Sequence, residues 1–199
     1  MIRLISLLVI LFSSTVSSNT ILVLGDSLSA GYQMPLEKSW PSILPSELKQ
    51  RGFDYQVINA SISGDTTGNG LDRLPRLLSE HTPEYLLVEL GANDGLRGFN
   101  PKTITNNLNQ IVLKARNSGS KVILMQIQIP PNYGKRYSQA FSNIYPTIAK
   151  NNDLPLVPFF LEHVILKEEW MLQDGLHPNA DAQPWIAGYM ADNLALYLE

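Results

Sequence analysis

The chain has 199 residues, with 15 Lys and Arg against 18 Asp and Glu, and a formal charge of −3. No basic cluster or Lys/Arg stripe stands out, which argues against nucleic acid as a partner. The absence of cysteine excludes disulfides and a thiol-linked lipid anchor. At the N-terminus, Met1-Ile2-Arg3 carries a positive charge, Leu4 to Phe12 are almost wholly apolar, and Ser13 to Ser18 are mostly small and polar. That order reads as a secretory signal peptide over 1–18 rather than a buried first strand, with cleavage after Ser17 or Ser18. The apolar stretch is about half the ~20 residues a membrane-spanning helix needs. Removing 18 residues leaves 181, within the ~100–200 of one domain, so 19–199 is expected to be a single soluble domain. Its expected location is the periplasm or the outside of the cell, as a monomer with no transmembrane anchor.

Apolar, often β-branched runs then alternate with helical patterns. Thr20–Leu24 reads as a strand stopped by Gly25, Ser42–Arg51 as a helix, and Tyr55–Ala60 as a second strand followed by a polar loop from Ser61 to Gly70. Leu71–Leu78 reads as helical despite Pro75, and Tyr85–Leu90 as a third strand. Pro101–Asn117 is the clearest helix, with Ile104, Leu108, Ile111 and Val112 on one face. Val122–Ile129 is the fourth strand, Gln139–Lys150 a helix interrupted at Pro146, Leu154–Pro158 a short fifth strand, and Ala182–Leu198 a closing helix. Five strand–helix repeats predict an α/β fold, a central parallel sheet of about five strands with helices on both faces. Such sheets bind ligands beyond the carboxyl ends of their strands. Ser27, Gly64, Asn93 and Tyr133 follow strands one to four, and Asp174 and His177 come after strand five.

Those residue types suit one kind of chemistry. A serine hydroxyl attacks only when an imidazole takes its proton and a carboxylate orients the imidazole. Of three histidines, His177 follows an aspartate, Asp174, by three residues in a Gly/Pro/Asn-rich loop, a setting the other two lack, and Pro178 holds it out of the helical region. His81 and His163 read as structural or surface residues. Gly-Asp-Ser after a strand also fits a simple helix cap or Asx turn. It is not a Gly-x-Ser-x-Gly elbow, since Ser29 stands at the second glycine. Gly64 offers a backbone N–H and Asn93 an amide toward an oxyanion, with the Ser27 N–H as a third donor, although ordinary turn chemistry explains each singly. Asp65 and Asp94 read as solvated or turn-stabilising, and Asp26 as buttressing its own turn. No metal site is expected, because nothing completes a ligand set around Asp174 and His177.

Gly25-Asp26-Ser27-Leu28-Ser29, the Gly64 block, Gly91-x-Asn93-Asp94 and Asp174-x-x-His177, in that order, resemble the SGNH, or GDSL-type, esterase/lipase family. The resemblance implies a flavodoxin-like three-layer α/β/α sandwich. It implies Ser27 as nucleophile, His177 as base and then acid, Asp174 as orienter, and Ser27, Gly64 and Asn93 as the oxyanion hole, with no cofactor. The expected substrate is a small acyl ester or thioester, lipid-like in its acyl part. Leu96, Phe99, Ile129 and Tyr133 are candidates for the acyl pocket, with Leu28, Tyr32 and Met34 as further lining. Gly95–Phe99 reads as a mobile wall built on two flexible glycines. A carbohydrate O-deacetylase on the same scaffold and a non-catalytic lipid- or glycan-binding domain are the alternatives.

Overall fold

The computed structural model describes residues 19–199; the expected signal peptide, 1–18, lies outside them. Five parallel strands form one sheet: β1 (Thr20–Gly25), β2 (Gln56–Asn59), β3 (Tyr85–Glu89), β4 (Lys121–Met125) and β5 (Leu156–Val157). Their order is β2-β1-β3-β4-β5, the flavodoxin-like arrangement. β1 pairs with β2 from Thr20↔Gln56 and with β3 from Ile21↔Tyr85. Every residue of β1 and β3 is buried, as continuous apolar runs covered on both faces should be.

The helices are α1 (Ser27–Ala30), α2 (Trp40–Gln50), α3 (Thr67–His81), α4 (Ala92–Leu96), α5 (Pro101–Asn117), α6 (Lys135–Ser142), α7 (Ile144–Asn152), α8 (Leu161–Val164) and α9 (Gln183–Leu194). α2 packs with α9, and α5 with α3 and α7, giving the two helical layers. On α2, Trp40, Leu44 and Leu48 recur every fourth residue and are buried. On α5, Ile104, Leu108, Ile111, Val112 and Ala115 make the inward face. Each buried Leu, Ile or Val among these contributes roughly 1.5–3 kcal/mol by leaving water.

Several boundaries differ from expectation for local reasons. α3 starts at Thr67, within the expected loop, because Thr66 and Asn69 form a reciprocal cap: Thr66 Oγ1 accepts from the Asn69 N–H, and Asn69 Oδ1 accepts from the Thr66 N–H. The helix expected over Gln139–Lys150 is two helices, breaking at Asn143. Pro146 has no N–H to give the Ser142 carbonyl, which accepts from the Gln126 side chain instead. β4 ends at Met125 because its partner β5 is only two residues long, and Ile127 and Ile129 turn into the core beyond it. α9 stops at Leu194 and is preceded by a 3-10 turn over Ala180–Ala182. The strand order reverses between β1 and β3, so a crevice opens there above their carboxyl ends.

Candidate active site

Gly25 closes β1, and Asp26 caps α1 by accepting the Leu28 N–H at 3.1 Å through Oδ1. Ser27 is therefore the first helical residue rather than the cap. A side chain at Gly25 would come within 2.7 Å of both Glu89 Oε2 and Ser61 Oγ, so glycine is required where the strand turns.

The second half of the site is a short closed loop. Leu172 N–H donates to the His177 carbonyl at 2.8 Å, and Asn179 N–H to the Trp170 carbonyl at 2.8 Å. Within it, Asp174 Oδ1 accepts from the backbone N–H of Leu176 at 2.9 Å and of His177 at 3.0 Å. Its other oxygen lies 2.7 Å from His177 Nδ1, and His177 Nε2 lies 2.8 Å from Ser27 Oγ. The carboxylate assigns the imidazole proton to Nδ1 and leaves Nε2 to accept from the serine. Burial works to raise the Asp174 pKa, but the hydrogen bonds from Leu176, the imidazole and the His177 backbone outweigh it, and the carboxyl is held below its usual range. Tyr32 lies against the imidazole, ring centroids 4.3 Å apart, instead of lining the acyl pocket.

Gly64 has a positive φ of 86°, which favours glycine, and its carbonyl accepts from Arg97 at 3.2 Å. Asn93, in the first turn of α4, donates its amide hydrogens to Asp26 Oδ2 at 3.1 Å and the Asp65 carbonyl at 3.0 Å. The backbone N–H groups of Ser27 and Gly64 have no acceptor among the described residues. Asp65 pairs with Arg73 at 2.7 Å. Asp94 departs from the expected solvated or turn role: it is fully buried and accepts from the Thr67 N–H at 2.8 Å and hydroxyl at 2.6 Å, which ties α3 to α4. Burial pushes the Asp26 carboxyl up to about 7 against its hydrogen bonds from Leu28 and Asn93, with Asp94 and Asp65 adding to the rise. Glu89, wholly buried, is raised well above the carboxylate range by burial and by the Asp26 charge.

A cleft of about 420 Å³ opens beside Ser27, Asn93 and His177. Leu28, Leu96, Ile129 and Leu176 line it, together with Phe159, Leu161 and Ile165, which carry no motif. Gln128 and Glu162, hydrogen-bonded to each other, add a polar edge. Phe99, Tyr133 and Met34 fall outside the lining. Tyr133 donates its hydroxyl to the Leu96 carbonyl at 2.9 Å, and Tyr137 to the Phe99 carbonyl at 2.7 Å, bracing the wall from behind. Gly95 lies inside α4, buried, where a Cβ would meet Ile129 Cγ2 at 2.4 Å and Phe141 Cε2 at 2.8 Å. Close packing, rather than flexibility, explains that glycine. Among the described residues no cluster of His, Cys, Asp and Glu is arranged to hold a metal ion, and no helix is long and apolar enough to cross a membrane.

The GDSL-like Lipase/Acylhydrolase family model matches residues 23–183, from β1 to the start of α9. The chain belongs to this family. An arylesterase of Vibrio mimicus is 60% identical over 200 residues, 100% of both chains. Thioesterase 1/protease 1/lysophospholipase L1 of Escherichia coli (strain K12) is 51% identical over 187 residues, 94% of this chain and 88% of the relative. Among solved structures, the psychrotrophic esterase EstA from Pseudoalteromonas sp., inhibited by monoethylphosphonate, superposes with a TM-score of 0.87 at 43% identity, covering 90% of this chain and 98% of that one. This member of the GDSL-like family is thus an ester-hydrolysing enzyme on a parallel α/β sheet. Glu89 and the Phe159–Ile165 stretch were outside the sequence expectation; the signal for Glu89 was an acid at the end of an otherwise apolar strand.

Proposed function

We propose that the chain hydrolyses acyl esters and thioesters through a covalent acyl-serine intermediate, with Ser27 as nucleophile, His177 as base and Asp174 as orienter. The single observation that carries this reading is the unbroken chain of 2.8 and 2.7 Å contacts from Ser27 Oγ through His177 to Asp174. Ser27 Oγ attacks the carbonyl carbon while Nε2 takes its proton. The N–H groups of Ser27 and Gly64 and the Asn93 amide receive the negative charge that develops on oxygen. The tetrahedral intermediate collapses, and His177 returns the proton to the departing alkoxide or thiolate. Water, deprotonated by the same nitrogen, then attacks the acyl-serine and releases the acid.

The acyl part is lipid-like in this reading, because the cleft beside Ser27 is lined mostly by aliphatic and aromatic side chains. The arylesterase and thioesterase/lysophospholipase names of the relatives support esters and thioesters as the bond class. Inhibition of the Pseudoalteromonas esterase by a phosphonate fits a serine nucleophile. We further propose that residues 1–18 direct export, and that 19–199 acts as a monomeric periplasmic or secreted domain. The mass of the N-terminus of the enzyme recovered from a bacterial host tests the cleavage.

The chemistry is tested with p-nitrophenyl esters from acetyl to palmitoyl, a matching acyl thioester, and Ser27→Ala beside the parent enzyme. Turnover on medium or long chains that vanishes in a folded Ser27→Ala protein supports the reading. Retained turnover moves the nucleophile elsewhere, and activity confined to acetyl esters replaces the lipid-like substrate by a deacetylase role.

A further inference from the structure

We propose that the face carrying the mouth of the cleft docks onto a lipid surface with anionic headgroups and takes its substrate there. The proposal rests on the lipid-like acyl part proposed above. Ten large apolar side chains are exposed among the described residues. Six of them, Ile62, Phe99, Tyr133, Ile165, Leu166 and Leu176, lie between the end of a strand and the next main helix, beyond the carboxyl edge of the sheet. Their neighbours set them around one opening. Arg97 donates to the Gly64 carbonyl at 3.2 Å, which joins the loop of Phe99 to the loop of Ile62. The bonds from Tyr133 and Tyr137 to the Leu96 and Phe99 carbonyls join that loop to Tyr133. Ile165 and Leu176 line the cleft, and Leu166 borders a second hollow that shares Ile165 and Gly175 with it. Leu196 and Tyr197 lie at the opposite end, where the Tyr197 carbonyl accepts from the hydroxyl of Tyr85, the first residue of β3.

One exposed apolar side chain is ordinary on a soluble domain, but a group of them around a single opening marks an interaction surface. Ile62 is 50% exposed, Ile165 52% and Leu166 81%. A protein seated on these loop tips would close the cleft to its substrate, whereas a lipid surface supplies the substrate. Charge points the same way. Arg97, Lys135 and Arg136 stand on the α4–α6 side of the mouth, exposed and with no carboxylate at ion-pair distance among the described residues. In a chain of formal charge −3, three such cations beside an apolar rim fit headgroup phosphates. Glu162, Glu168 and Glu169 lie on the other flank, after β5, with Lys167 among them, so the face is positive on one side and mixed on the other. Apolar burial and attraction to anionic lipid are the two terms that hold a protein on a membrane surface, and this face offers both.

The test is cosedimentation of the folded Ser27→Ala enzyme, which leaves the lipid intact, with vesicles. One set is phosphatidylcholine alone, and the other is equal parts phosphatidylglycerol and phosphatidylcholine. We expect the protein to pellet with the mixed vesicles and to bind phosphatidylcholine alone at least about fivefold more weakly, roughly the factor that one cation near an anionic surface contributes. In the same background Leu166→Ser should bind about tenfold more weakly, the low end for burying a leucine. Lys135→Gln combined with Arg136→Gln should cost at least about tenfold, whereas Leu113→Ser, on the outer face of α5, should bind like the parent. With Ser27 in place, Leu166→Ser should keep the parent's kcat/KM on dissolved p-nitrophenyl acetate, which separates docking from chemistry. No pelleting with either vesicle, by an enzyme that turns over a dissolved octanoyl ester, overturns the docking and leaves the substrate reading intact. Equal binding by Leu166→Ser and Leu113→Ser does the same. A dimer in solution that Leu166→Ser dissociates gives the face to a second copy and overturns the proposal as well. Turnover confined to acetyl esters removes the lipid-like reading, and the docking role falls with it.

Discussion

The ring of Tyr32 lies 4.3 Å from that of His177, tilted by 33°, and covers one face of the imidazole. Gly31, with a φ of 76°, and Gln33, with a φ of 56°, bracket Tyr32 in the turn that brings it there. An aromatic face favours a nearby cation, by about 0.5–1 kcal/mol at a partly exposed site. In the proposed mechanism, His177 becomes a cation each time it takes the serine proton. Tyr32→Leu is therefore expected to lower kcat several-fold, while Tyr32→Phe leaves it unchanged. An equal loss in the phenylalanine variant would trace the effect to the hydroxyl instead.

Asp174→Asn tests the loop that carries the proposed base and orienter together. Asparagine can still accept the Leu176 and His177 N–H groups through one oxygen, so the loop keeps its shape. Its NH₂ group then faces His177 Nδ1 and forces the proton onto Nε2, where the serine needs an acceptor. The expected result is a fall in kcat of roughly 10⁴ with little change in thermal midpoint. A loss below about tenfold would show that the imidazole is oriented by something else.

The buried carboxyls give stability a definite pH dependence. Asp26, at about 7, and Glu89, higher than the ordinary range, bind protons more tightly folded than unfolded. Their contribution is complete below the unfolded carboxylate range and is lost as pH rises through the folded values. Asp174, held low, acts in the opposite sense, with its contribution lost only as pH falls below its ordinary range. Between pH 5 and 8 the thermal midpoint should thus decline, and Glu89→Gln should flatten that decline by a few degrees, at about 2–4 °C per kcal/mol. Parallel curves for the two proteins would show that Glu89 does not titrate in this window.

Gly95→Ala should act through packing. The added methyl would sit 2.4 Å from Ile129 Cγ2, so the side chain that lines the cleft must move. Overpacking of this kind typically costs 1–3 kcal/mol. Because Ile129 is displaced at the wall of the acyl cleft, octanoyl and longer esters should lose more kcat/KM than acetyl esters. A uniform loss across chain lengths would place the damage elsewhere.

Much of this molecule was legible in its sequence because its strands are buried on both faces. Runs such as Ile21–Leu24 and Leu86–Val88 can be little else between helical patterns, and the polar motifs fall after them. The elements whose bounds differ from expectation depend on partners distant in sequence. β4 is cut short by the length of β5, and the break before Pro146 is stabilised by Gln126 from another segment. The start of α3 was local, but its cap uses Asn69 where glutamate or glutamine is the usual signal. At the site, Ser27, Asp174 and His177 stood out because each has a chemistry of its own. Phe159, Ile165 and Leu176 did not, since an apolar residue in a loop reads the same whether it faces the core or a ligand. Glu89 reads as one acid in an apolar strand, although a buried charge is the rarer and more telling observation.

Ser27 and His177 touch across a separation of 150 residues, close to the full reach of the domain. The turn with Ser27 leaves the ribosome early, whereas His177 arrives only with the loop just ahead of α9. That final helix packs against α2, where the Gln183 side chain accepts the Trp40 N–H at 2.9 Å. A chain released before that docking holds a serine with no imidazole beside it. Under the proposed mechanism, hydrolysis is a report that both ends of the polypeptide have met, and a half-made copy is an inert one.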